Sequence, residues 1–242
     1  MDDQLNDKWN RFGERHPSRK IQLIEASVLL FLIMPSMFVS LSVIKRSSLT
    51  FPQLAGSSLV HDLALLALVL YLVWRNGEPF TSIGLNLKEK WRELFLGLAL
   101  FVPFFLGVGL IERLLRSLGY LIPKGPPAYL TPSGAGQFLL AFALLIVVAV
   151  TEEVIFRGYF ILRLESVLRN SGVAVLLSAL VFSIGHGYQG PGSVIAIGLM
   201  GIFFGLIYLW RRNLIAPIVI HFLQNFLAMI VAPLAVGSGG MS

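Results

Sequence analysis

Apolar residues along this chain come in long runs divided by short polar breaks. Residues 1–20 are polar and of mixed sign, and the first run, Ile21 to Ile44, follows them directly. At 24 residues it is too long for a signal-peptide core, and it has no convincing small-x-small cleavage site. It predicts a retained first transmembrane helix. Further runs follow at Leu59–Trp74, Leu94–Ile111, Gln137–Leu164, Val173–His186, Val194–Trp210 and Leu214–Leu234. Several are shorter than the roughly 20 apolar residues that a span needs. Flanking residues must extend them, or the helices are tilted, packed or irregular. The breaks carry turn chemistry: Lys45–Ser58, Gly77-Glu78-Pro79, Pro123–Pro132, Asn170-Ser171-Gly172, Gly187–Gly192 and Arg211-Arg212-Asn213.

Only helices and closed barrels satisfy backbone polar groups in lipid. The pattern therefore predicts an all-α, polytopic transmembrane bundle of about seven spans, within a range of six to eight. The expected organisation is a short N-terminal segment (1–20), N-terminal helices and loops (21–134), a core carrying the unusual polar residues (135–234) and a short tail (235–242). Composition agrees: 56% of residues are hydrophobic and 13% charged, against about 25% charged in a soluble domain. The absence of Cys removes disulfides, Cys metal sites and thiol catalysis. A net charge of +6 is read as topology rather than nucleic-acid binding. With seven spans, 14 of the 19 Lys and Arg residues fall on the side of the N-terminus, which places that side in the cytoplasm. The expected location is a cell membrane of prokaryotic type, crossed several times, with lipid as the surroundings and no nucleic-acid partner.

Charge inside a span is costly, about 2.5–3.5 kcal/mol per residue at its centre, and marks function by default. The run through Val150-Thr151-Glu152-Glu153-Val154-Ile155-Phe156-Arg157 holds three such charges. Glu153 and Arg157, four apart, share a helix face and are expected to form a structural ion pair. Glu152 is turned about 100° away and is expected to face elsewhere. Two other polar elements interrupt apolar runs: Phe182-Ser183-Ile184-Gly185-His186, and His221-Phe222-Leu223-Gln224-Asn225, whose His221 and Asn225 share a face. At 1.5 Å per residue, Glu152, His186, His221 and Asn225 lie roughly 12–22 Å from the cytoplasmic face, in one broad layer.

A carboxylate and an imidazole sharing a water can act as general base and later return the proton to a leaving amine. An imidazole N–H and a carboxamide can stabilise an oxyanion. Such a set would hydrolyse a peptide bond. Metal-assisted hydrolysis with Glu and His ligands is the alternative, although the His-Glu-x-x-His signature is absent. An aspartyl mechanism lacks its second membrane Asp, since only Asp62 follows Asp7. Ser183, three residues before His186, is a weak serine-nucleophile candidate. A second reading makes the chain a non-proteolytic membrane protein, either a proton-coupled transporter or a bacteriocin-immunity-type partner. The lack of an inverted repeat counts against the transporter.

At these elements the sequence resembles the CPBP family of intramembrane proteases, which includes the type II CAAX prenyl endopeptidases and bacteriocin-processing, Abi-like members. The family pattern Glu-Glu-x-x-x-Arg, Phe-x-x-x-His, His-x-x-x-Asn reads here as Glu152-Glu153…Arg157, Phe182…His186 and His221…Asn225, in order and without departure. Ser82-Ile83-Gly84-Leu85 resembles the family's Leu-Gly-Leu-type element. The resemblance implies that Glu152 and His186 activate the water, that His221 and Asn225 form the oxyanion site, and that Glu153 and Arg157 support them. The substrate it implies is a membrane-associated or lipid-modified protein or peptide. The family has been described both as metalloproteases and as glutamate-dependent proteases. No cofactor is favoured here. A divalent metal such as zinc would have Glu152, His186 and His221 as its ligands.

Outside these motifs, Gly198, Gly201 and Gly205 form a small-residue stripe suited to close helix packing. His61-Asp62 and Glu112-Arg113 are read as interfacial polar pairs near span ends.

Overall fold

The computed structural model describes residues 17–43, 50–123, 125 and 130–231. Residues 1–16, the tail and half of the Pro-rich stretch lie outside them. The described residues are helical, with no strand among them. The elements are α1 (Arg19–Val43), α2 (Phe51–Arg75), a 3-10 turn (Phe80–Ile83), α3 (Lys90–Ser117) and α4 (Gly134–Glu152). A π-helical segment (Glu153–Phe160) joins α4 to α5 (Ile161–Leu168). Then come α6 (Ser171–Gly185), a short 3-10 turn (Gly187–Gln189), α7 (Pro191–Arg211) and α8 (Ile215–Phe226), which ends in a π turn (Leu227–Val231).

Among the described residues, four helices are long and apolar enough to cross a bilayer: Phe51–Arg75, Lys90–Ser117, the continuous Gly134–Leu168 and Pro191–Arg211. Ser171–Gly185 and Ile215–Val231 are shorter apolar helices. Their outward faces are those of a protein in lipid. Phe31, Val60, Leu106 and Leu139 are among the most exposed large side chains. On a soluble protein, contiguous apolar surface of this kind would be an aggregation liability. The chain is a multi-pass, all-helical membrane protein.

The helices begin and end where local chemistry closes the backbone. At the start of α2, Gln53 accepts from the Thr50 backbone N–H at 3.0 Å. Pro52 occupies a first-turn position where its missing N–H is not needed. Asn170 caps α6 by accepting from Val173 N–H at 3.0 Å.

One boundary corrects the sequence reading. The α2 helix begins at Phe51, eight residues earlier than the apolar run indicates, because Gly56-Ser57-Ser58 does not break it. Ser57 returns its hydroxyl to the Leu54 carbonyl at 2.9 Å, satisfying it within the helix. Phe51 and Ala55 are buried against Ala141, Leu144 and Leu145 of α4. His61 and Asp62 therefore lie near the middle of the 25-residue α2, not at its outer end.

The main core gathers Val69 and Val73 of α2, Ile83, Val154, Tyr159 and Phe182. Small residues let the backbones close. A Cβ on Gly158 would stand 2.6 Å from the Ile83 carbonyl oxygen, so the 3-10 turn packs directly on the π-helical segment. On α7, a Cβ at Gly205 would meet Val175 at 2.8 Å and one at Gly201 would meet Ala179 at 3.1 Å. The glycine stripe is thus the seat of α6, which answers the packing expectation within this chain.

A second polar layer sits at the end of the bundle that holds Glu25, Asn76 and Arg163. Arg163 is bidentate to Glu78, at 2.8 and 2.5 Å, and lies 3.5 Å from Glu25. Glu25 also accepts from Tyr159 at 2.8 Å and from Asn76 at 3.0 and 3.1 Å. Nearby, Arg211 bonds to Glu93. Arg212 makes two 2.8 Å bonds to Glu165, and that carboxylate holds its guanidinium above the usual value. Glu25 sits inside the first apolar run and Arg163 inside the fourth, so both were visible as charges out of place. Sequence alone offered no reason to pair them across 138 residues.

Candidate active site

The site forms where the α4–α5 rod changes its winding. The segment Glu153–Phe160 is π-helical and buried at every residue. Such segments carry one more residue per hydrogen-bonded turn than an α-helix and recur at functional sites. Ser178 of α6 donates to the Phe156 carbonyl at 2.7 Å, giving a carbonyl of this segment an extra partner.

The expected Glu153–Arg157 pair is present at 2.9 Å. Arg157 is 1% exposed and lies between the rings of Phe182 and Phe204, 4.3 and 5.1 Å from their centroids. Buried in this way, the guanidinium is compensated by one carboxylate and two ring faces.

The two glutamates do not face apart. Both meet His221 from α8. Its Nδ1 is 2.8 Å from Glu153 Oε1, and its Nε2 is 3.4 Å from Glu152 Oε2. His221 is buried and its ring stacks on Phe204 at 5.6 Å. The sequence reading erred here because it placed Glu152 and Glu153 about 100° apart around one helix. It could not know that a third helix would bring an imidazole between them. One ring has two nitrogens pointing in different directions, so it can engage two neighbouring carboxylates at once.

His186 sits just beyond α6. Its Nδ1 donates to the Phe182 carbonyl at 2.9 Å, which leaves Nε2 as the acceptor of the neutral ring. Phe182 lies between the two histidines, 4.8 Å from His186 and 6.1 Å from His221 by ring centroids. Asn225 is half-buried, one turn beyond His221 on α8. Ser183 is not directed at His186. Its hydroxyl donates to Leu180 O within α6 at 2.9 Å and packs near Gly198.

Several buried polar atoms around these residues have no hydrogen-bond partner in the protein: Thr151 Oγ1, Glu152 Oε2, Glu153 Oε2, Arg157 Nη2 and Gln224 Oε1. Each such group costs roughly 1–3 kcal/mol unless water or a ligand meets it. Glu152 is the open member of the glutamate pair, its side chain 23% exposed against none for Glu153. The arrangement is an accessible carboxylate beside a buried, carboxylate-oriented imidazole.

A metal fits these donors poorly. Among the described residues, no three His, Asp or Glu side chains stand close enough to hold one ion. Both nitrogens of His221 already face carboxylates.

The chain is similar to known membrane proteases. Residues 134–227, which span α4 to α8, match the model of the Rce1-like type II CAAX prenyl endopeptidases. The chain is also 25% identical over 208 residues to the membrane-embedded CAAX protease MroQ of Staphylococcus aureus (strain USA300), covering 78% of this chain and 81% of that protein. The resemblance is to intramembrane CAAX-type proteases. The matched region holds both glutamates, both site histidines, Arg157 and Asn225. No solved structure gives a significant match.

Proposed function

We propose that this protein cleaves peptide bonds of membrane-associated proteins or peptides with a water activated by Glu152. The observation that carries the reading is the partly exposed carboxylate of Glu152, set against an imidazole that a second carboxylate orients. Glu152 takes a proton from the water as it attacks the carbonyl carbon. His186, its tautomer fixed by the Phe182 carbonyl, offers Nε2 as a second acceptor for that water. Glu152 then returns the proton to the leaving amine.

The developing oxyanion needs donors. His221 gives Nδ1–H to Glu153. When Nε2 is also protonated it presents a second N–H beside Glu152. Asn225 adds a carboxamide one turn away. Glu153 acts through His221, and Arg157 holds Glu153 in place, so both are positioning residues. No step in this scheme requires a metal. The names of the matched family and relative point to CAAX-type substrates, and we extend only the membrane-associated class to this chain.

Asn225→Ala is expected to lower kcat by about 10²–10³-fold if its carboxamide serves the oxyanion, with less effect on KM. Steady-state cleavage in proteoliposomes measures this, and a pure KM effect would move Asn225 out of that role. Activity is also expected to survive exhaustive chelation. Loss on chelation with recovery on adding zinc would overturn the metal-free scheme. The substrate itself is best found by comparing membrane-protein fragments from cells that carry the wild type with those from cells that carry Glu152→Gln.

A further inference from the structure

Asp62 is the one charged residue on the inner stripe of α2. That stripe runs Ala55, Leu59, Asp62, Leu65, Val69 and Val73, at spacings of three and four. Asp62 is half-buried there, while Val60, His61, Leu63 and Ala64 around it are exposed. Phe51, Ala55 and Leu59 pack with Ala141, Leu145 and Val148 of α4. Further along, Leu65 and Val69 join the cluster that contains Val154 and Ile155. The two helices thus run side by side in one direction, and Asp62 falls level with Thr151 and Glu152. Its charge interacts with that of Glu152. Its hydrogen-bond partner is His61, at 3.1 Å.

A carboxylate in this layer is costly, and intramembrane acids are functional candidates by default. The charges that act on Glu152 are those of Asp62, Glu153, Arg157 and, when protonated, His221. Three carboxyl groups, Asp62, Glu152 and Glu153, thus stand in this layer against one permanent cation, Arg157. Beside them the fully buried Thr151 hydroxyl has no protein partner. An acidic, incompletely paired layer of this kind is complementary to a cation. Glu152 is taken up by the water, and Glu153 by His221 and Arg157. Asp62 is the remaining acid.

We propose that Asp62 is a specificity-determining residue of the peptidase site, receiving a lysine or arginine side chain of the substrate close to the scissile bond. The proposal deepens the peptidase reading and rests on it for the meaning of "scissile". It adds a substrate-recognition role that the motif residues do not supply.

The test uses the full chain in proteoliposomes and matched single-span peptides. These are built on a sequence the enzyme cuts and carry Lys, Gln or Glu at positions flanking the cut. At one such position, wild type is expected to prefer Lys over Glu by about tenfold or more in kcat/KM. Asp62→Asn is expected to erase that preference, Asp62→Glu to restore it, and Asp62→Lys to reverse it toward Glu. Binding of the Lys peptide to Glu152→Gln protein gives a readout that needs no cleavage. Adding Asp62→Asn to that background is expected to weaken the dissociation constant about tenfold. A uniform slowing of all peptides by Asp62→Asn would show a structural role and overturn the proposal. So would a Lys preference that persists without Asp62. Full activity of Glu152→Gln would instead sink the catalytic assignment, while the binding preference would still report on Asp62.

Discussion

Replacing Glu152 by Gln is expected to lower cleavage by about 10²–10⁴-fold, the range over which a positioned general base contributes. The exchange keeps the size and hydrogen-bonding reach of the side chain and removes only its capacity to take a proton. Glu152 is the accessible member of the pair and does not bond to Arg157, whose hydrogen bond goes to Glu153. The variant should therefore insert and melt like wild type. That separates it from Glu153→Gln, which weakens the anchors of both Arg157 and His221 and should lose stability together with rate. Single-turnover cleavage beside a thermal melt in detergent distinguishes the two. A stable Glu152→Gln protein with wild-type turnover would remove Glu152 from the mechanism.

The largest stability effect is expected far from that site. Arg163→Leu should cost about 3–5 kcal/mol, the usual cost of deleting one partner of a buried ion pair. Arg163 is 1% exposed and holds Glu78 bidentately beside Glu25. Removing it takes the bidentate guanidinium from buried Glu78 and one of two guanidinium neighbours from buried Glu25, which keeps Arg75 at 3.4 Å. Glu25 belongs to α1, Glu78 to the turn after α2, and Arg163 to α5, so the loss unties three parts of the chain. A large fall in melting temperature is the readout. Adding Glu78→Leu should recover part of it, because replacing both partners by apolar side chains avoids the stranded charge. A single Arg163→Leu that melts like wild type would show that the layer contributes little.

Much of the protein was legible from the order of its residues. A helical membrane bundle follows from the apolar runs, because lipid leaves the backbone few alternatives. The polar residues to examine follow from the cost of charge in those runs, which singles out Glu152, Glu153 and Arg157. The ion pair between Glu153 and Arg157 follows from four-residue spacing on one helix. Each of these inferences is local, or depends only on the solvent.

What failed was the reading that needed a partner from elsewhere. From sequence Asp62 reads as a span-end residue, because Gly56-Ser57-Ser58 resembles a loop. A hydroxyl bonded within the helix and an apolar face buried on α4 override that signal. Glu152 and Glu153 were given separate directions, whereas His221 receives both. Glu25 and Arg163 are each a charge in an apolar run, and nothing along the chain pairs them.

The sequence by itself determined the solvent, the helical class and the set of groups able to do acid–base chemistry. Periodicity and transfer cost act within one segment and require no knowledge of its neighbours. Tertiary structure alone decided which groups meet: His221 between two carboxylates, Arg157 between two rings, Arg163 against Glu78, Asp62 level with Glu152. Those contacts reach as far as Arg163 to Glu78, 85 positions apart, and they depend on helix register, the π-helical segment and the close approach of α6 to α7. No spacing rule along one helix encodes them, because the register between helices is set by packing summed over whole faces.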